Sequence, residues 1–187
     1  RPDIMYSCNR AGEYTAAPNA PAFKILKRIA RKLALQPHRP IMYPRGCTLN
    51  GTHVLTQEVS PGDFHRQSIP NGLALFADGG EARSLSDRRP IACVIATLLG
   101  VAIHWKANTQ PMCAHSTDSE VRAFYLATKI AQVLRPIYHN LGFPIQDSPT
   151  QIFEDSQPTI DTLASNHVTT RVKHVANPIA YIHECIK

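Results

Sequence analysis

Between Ile91 and Lys106 two runs of strand-forming residues follow each other with one glycine between them. Ile91–Leu99 is long and apolar, Gly100 breaks it, and Val101–Lys106 (Val-Ala-Ile-His-Trp-Lys) resumes the pattern. Two such runs are predicted to pair as a hairpin. The residues around them extend the pattern in both directions. Leu73–Ala77 reads as a short apolar strand ending at Asp78-Gly79-Gly80, and Gln151–Glu154 as a further strand ending at Asp155.

Between the hairpin and that last strand lies a long helical segment. Thr117-Asp118-Ser119-Glu120 carries a capping-box signature, and Val121, Phe124, Tyr125, Leu126, Ile130, Val133, Leu134, Ile137 and Leu141 supply an apolar face. Pro136 is expected to kink this helix, because it removes a backbone donor and crowds the preceding turn. Gly142 and Pro144 end it. Ser156-Gln157-Pro158 then opens a short helix to about Ala164, and a last helix is expected over Ile179–Ile186. From residue 73 onward the chain therefore reads as α/β.

Residues 1–72 read differently. Much of the proline falls between residues 18 and 70, so loops are expected there, with short extended pieces at Ile41–Tyr43 and His53–Leu55. The exception is Ala22–Leu35, where Phe23, Leu26, Ile29, Ala30 and Leu33 recur at helical spacing and Lys24, Lys27, Arg28, Arg31 and Lys32 fill the other face. A basic amphipathic helix can lie on a phosphate backbone; it can equally be a solvated basic face above a packed apolar stripe. The formal charge of +6 gives general support to a polyanion partner.

Several function classes find no support. The five cysteines are far apart and form no Cys-x-x-Cys pair, which argues against a zinc ribbon or redox motif. They are expected to be buried reduced thiols of an intracellular protein, nuclear or cytoplasmic. No apolar run reaches membrane-spanning length and no signal peptide is present, so no membrane partner is expected. The nine histidines include no His-x-x-x-His pair, and no phosphate-loop glycine pattern occurs. The opening at Arg1, without methionine, suggests a piece of a longer protein.

Acidic residues stand where elements change. Asp78 ends the first strand, Asp118 and Glu120 open the long helix, and Asp155 ends the fourth strand. Strand ends and helix starts of an α/β sheet lie at its ligand-binding edge. Carboxylates gathered there can hold a pair of Mg²⁺ ions for phosphodiester hydrolysis. Each acid also has an ordinary explanation. Asp118 and Glu120 offset the exposed donors of a first helical turn, Asp155 caps the helix after it, and Asp78 forms a turn before Gly-Gly.

Arg1-Pro2-Asp3-Ile4-Met5-Tyr6 resembles the Arg-Pro-Asp-Ile-x-Tyr that closes the catalytic part of copia-type retrotransposon reverse transcriptases. The segment Pro18–Leu33 resembles the helix that follows in that family. Ile103-His104-Trp105-Lys106, Ser116-Thr117-Asp118-Ser119-Glu120, Leu141-Gly142-Phe143-Pro144, Glu154-Asp155-Ser156-Gln157 and Arg171-Val172-Lys173-His174 follow in family order. The resemblance implies a reverse transcriptase-derived extension over residues 1–72 and an RNase H-like domain over 73–187. It further implies a mixed five-stranded sheet flanked by helices, and Mg²⁺-dependent cleavage of the RNA strand of RNA–DNA hybrids by four carboxylates. Asp78 matches the first acid, Asp118 the second (with Glu120 on the next family glutamate), and Asp155 the third. His174 would assist product release, and Asp78, Asp118 and Asp155 would hold metal. Backbone contacts would come from Lys24, Lys27, Arg28, Arg31, Lys32, Arg171 and Lys173.

The chain also departs from the family pattern. Ala176 stands where the fourth acid belongs, Gly80 and Glu81 replace an aspartate and a tryptophan, and Ala92-Cys93-Val94 replaces Ser-Gly-Tyr. Asp118 is one methylene shorter than the family glutamate. These changes predict a co-opted domain with a degenerate site, acting by binding a protein or nucleic-acid partner, alone or in a larger complex. The alternative is a working hybrid nuclease.

Overall fold

The computed structural model describes residues 1–39, 41, 72–80, 89–113, 115–143, 145, 149–165 and 170–186. The extended pieces expected at 41–43 and 53–55 lie outside the described residues apart from Ile41, as do Glu81 and Cys47.

The hairpin forms where the sequence places it. Strand β2, Ile91–Leu98, turns through Leu99 and Gly100 into β3, Val101–Thr109. Both turn residues have positive φ, 53° and 77°. That is the turn whose twist matches the flanking strands, and it explains why one glycine interrupts two apolar runs. β1, Leu73–Gly80, pairs antiparallel with β2 and parallel with the short β4, Gln151–Phe153. The sheet order is β3-β2-β1-β4. A parallel neighbour needs a crossover, and the helix before β4 supplies it.

That helix, α3, spans Ser116–Asn140 and lies on one face of the sheet. Its contact side is built from Ala123, Ala127 and Ala131, each buried, against Leu73, Leu75, Ala77, Val94 and Ala96 of the strands. Alanines four apart form one smooth helical face and let the helix axis come close. Helices α4, Gln157–Ala164, and α5, Ala176–Ile186, complete a second apolar cluster in which Val121, Leu163, Val175, Ile179 and Ile182 meet. A 3-10 segment, Thr170–Val175, leads into α5.

The resulting mixed α/β sheet flanked by helices is the RNase H-like arrangement that the resemblance implies. Several details differ. The described residues form four strands, where five were expected. β1 runs on through Asp78 to Gly80, β3 continues to Thr109, and β4 stops at Phe153. α3 ends at Asn140 and holds Pro136 within it. Its cap is also shifted, for the carboxylate of Asp118 accepts from the backbone N–H of His115, at 3.0 Å.

The N-terminal segment, expected to be helical and irregular, holds a second helix besides the one foreseen. A 3-10 turn, Pro2–Ile4, leads into α1, Met5–Gly12, and α2 covers Ala20–Leu35, capped by Asn19. α1 packs on α2 and on β3, where Asn9 Nδ2 donates to Ala107 O at 2.6 Å and Thr109 Oγ1 donates to Glu13 at 2.7 Å. Of α2 only Ala22 is buried, and Phe23, Leu26, Leu33 and Leu35 are exposed beside the basic residues. The described cysteines are free, but none is fully buried, against expectation. Among the described residues no helix is long and apolar enough to cross a membrane.

Candidate functional site

The first turn of α3 meets the end of β1 without side chains between them. A Cβ on Gly79 would stand 2.5–2.6 Å from backbone atoms of Ser119 and Glu120, so only glycine fits. Polar contacts hold the first turn of α3 in place. Gly79 N–H donates to Glu120 Oε2 at 2.5 Å, the Ser119 hydroxyl lies 3.0 Å from Gly79 O, and Gln110 Nε2 donates to Ser119 O at 3.1 Å. β4, parallel to β1, ends beside the same place and delivers Glu154 and Asp155.

Carboxylate oxygens of Glu120, Glu154 and Asp155 all lie within 4.8 Å of one another. Asp78 joins them electrostatically, since its carboxyl is raised by burial and by the charge of Asp155. Burial pushes Glu120 up to about 7, and Asp78 and Asp155 add to this while the Gly79 N–H opposes it. Glu154 is likewise pushed up to about 7, by burial first and then by Glu120. These shifts share one origin: negative charge is crowded into a partly desolvated space. Beside them, burial and Asp78 raise the Cys93 thiol.

The sequence-derived residues divide between two places. Asp78, Glu120 and Asp155 come together, but Asp118 does not join them. Fully buried, its carboxylate accepts from His115 N–H and contacts His174 Nε2. Residues two apart on a helix point about 200° apart, so 118 and 120 cannot both face the strand ends. Of the two, Glu120 is the one whose carboxylate joins the cluster. His174 is tied to Asp118, away from the three grouped acids.

Glu154 is a member that the sequence reading missed. A strand continuing to 154 would have set Glu154 and Asp155 on opposite faces; because β4 stops at Phe153, both turn into the cluster. The adjacent acids at a strand end were the available signal. Glu154 Oε2 is buried with no N–H or O–H donor directed at it among the described residues.

The basic residues are spread along α2. Lys24, Lys27, Arg28 and Arg31 are exposed, with Lys27 over the Phe23 ring, whereas Lys32 is engaged with Asp3. Lys173 is exposed, and the side chain of Arg171 lies outside the description.

No protein-family profile matches the chain. The whole chain is similar to part of the retrovirus-related Pol polyproteins from transposons RE2 and RE1 of Arabidopsis thaliana, at 23% and 24% identity. It spans 11% of the length of either polyprotein. Among solved structures, LC11-RNase H1 from compost aligns over 62% of this chain and 75% of its own, with a TM-score of 0.47 at 17% identity. The same enzyme in complex with an RNA/DNA hybrid aligns over 60% and 75%, with a TM-score of 0.45 at 15% identity. The similarity to transposon Pol polyproteins agrees with the resemblance read from the motifs.

Proposed function

We propose that the chain is an RNase H-like segment of a transposon Pol lineage whose acidic cluster engages divalent metal ions and, through them, the RNA strand of an RNA–DNA hybrid, cleaving it. The observation that carries this reading is the grouping of Glu120, Glu154 and Asp155, with Asp78 beside them, at the junction of β1, β4 and α3. The donor set is all carboxylate oxygen, which suits Mg²⁺. The elevated titration of Glu120 and Glu154 and the donorless Glu154 Oε2 are what a cation would relieve. Glu120, Glu154, Asp155 and Asp78 would hold the ions, which when bound would activate water and stabilise the leaving oxygen.

The remaining groups keep that set in place. Gly79 fixes Glu120 through its N–H, and the Asp118–His174 contact ties the first turn of α3 to the segment before α5. Glu154 offers a fourth carboxylate where Ala176 offers none.

A second reading, binding without cleavage to a nucleic acid or a protein partner, draws on Ala176 and on the altered residues after Asp78. One experiment separates the two. Mg²⁺ is titrated into the protein with a labelled RNA–DNA hybrid, and cleavage and binding are read together. Metal-dependent cleavage that Asp155→Asn lowers at least about a hundredfold supports the nuclease, since misplacing one catalytic group can cost that much. Tight binding with no cleavage selects the second reading, and cleavage that survives Asp155→Asn sinks the site assignment.

A further inference from the structure

The sheet face turned away from α3 carries an in-register apolar row. Phe153 on β4, Phe76 on β1, Ile95 on β2 and Trp105 on β3 are directly paired, so their side chains share one face. Phe76 is 40% exposed although it sits on an inner strand. Its ring stacks on Phe153, with centroids 4.9 Å apart and planes 14° from parallel. Two residues further along these segments stand Asp78 and Asp155. A two-residue step is about 7 Å, and Asp78 points to the same side of β1 as Phe76. Rings and carboxylates thus form one continuous surface.

We propose that the Phe76–Phe153 pair is a nucleotide subsite. A strand whose phosphate is held at the carboxylates lays the sugar and base of the adjoining nucleotide across the rings. This rests on the metal-site reading above. Exposed aromatic rings take bases of any sequence, which suits an enzyme or binder that reads no sequence. A protein partner fits the surface less well. An apolar protein face covering Phe76 would also cover Asp78 and Asp155, burying carboxylates without counter-charge. A nucleic acid arrives with cations and needs no such burial. α1 borders the other end of the row, in a cleft lined by Met5, Cys8, Asn9 and Trp105. Behind α1 stands α2, whose Lys24, Lys27, Arg28 and Arg31 are exposed and which contains no acidic residue.

Trp105 is the single tryptophan and belongs to the row, so its emission reports on this face. The test is a titration in Mg²⁺ with a labelled hybrid whose RNA strand is 2′-O-methylated, so that binding is read without cleavage. Anisotropy gives the affinity and Trp105 emission is followed in parallel. Phe76→Ala should weaken binding about tenfold, shrink the Trp105 response and leave the unfolding midpoint within a few degrees. Phe76→Leu guards against a folding defect, keeping apolar bulk while losing the ring, and should also bind more weakly than the wild type. Phe76→Tyr should restore affinity to within about twofold. Wild-type affinity in both Phe76→Ala and Phe76→Leu, with loss of Mg²⁺-dependent binding in Asp78→Asn, overturns the subsite and leaves the metal reading standing. If the unmodified protein binds no hybrid with or without Mg²⁺, both fall. Self-association that Phe76→Ala abolishes, with hybrid affinity unchanged, assigns the row to a protein contact and overturns the proposal.

Discussion

Gly79 sits where the main chains of β1 and α3 touch, and the methyl group of an alanine has no flexible neighbour to displace. Gly79→Ala should therefore destabilise the fold by at least about 2 kcal/mol, as overpacking against rigid backbone does, with a lower urea midpoint as the measurement. The acids around it make a prediction of opposite character. Between pH 5 and 7 the folded protein holds protons on Glu120 and Glu154, which titrate near 7, while the unfolded chain, with glutamates near 4.5, has released them. A folded state that binds more protons loses stability as pH rises. The metal-free protein should thus melt at progressively lower temperature from pH 5 to pH 7 and change little above that. Glu120→Gln should flatten the slope, and Mg²⁺ should restore stability at pH 8. A metal-free melting temperature that climbs over the same range would contradict the crowding of charge inferred here.

Among the elements, α3 carries a proline within its length. Pro136 is exposed and lies inside the helix, where it removes one backbone donor. Pro136→Ala should stabilise the protein by about 1–3 kcal/mol, since proline is that much poorer than alanine in a helix interior; thermal unfolding checks it. The strands of the hairpin were legible because a buried strand leaves a run of β-formers and Gly100 interrupts it. α1 was not legible. Met5–Gly12 is only two turns long and none of its residues is fully buried, so it depends on packing against α2 and β3. The acids of the site were half legible. Strand ends and a helix start marked their neighbourhood, but choosing between Asp118 and Glu120 needs the phase of the helix, which the N-cap sets. Admitting Glu154 needs the last residue of β4, and element ends are the least determined part of any pattern.

At the scale of the whole molecule, charge is separated. A protein of net charge +6 keeps four carboxylates at one corner of its sheet and places a run of basic residues, with no acid among them, on α2, beyond α1. Long-range attraction of a polyanion and local repulsion from the acids can then coexist, with divalent ions removing the second. The joint at Gly79 adds a mechanical consequence. α3 is 25 residues long, touches the sheet backbone-to-backbone at its first turn, and carries Pro136 near its far end. The close joint pins α3 at the acids, so changes near its far end should leave the spacing of Asp78 and Glu120 little altered. Amide exchange should accordingly slow by orders of magnitude from the Pro136 end of α3 toward Ser119 and Glu120. Damage to the distal helix would then loosen the molecule long before it disturbs the grouped acids.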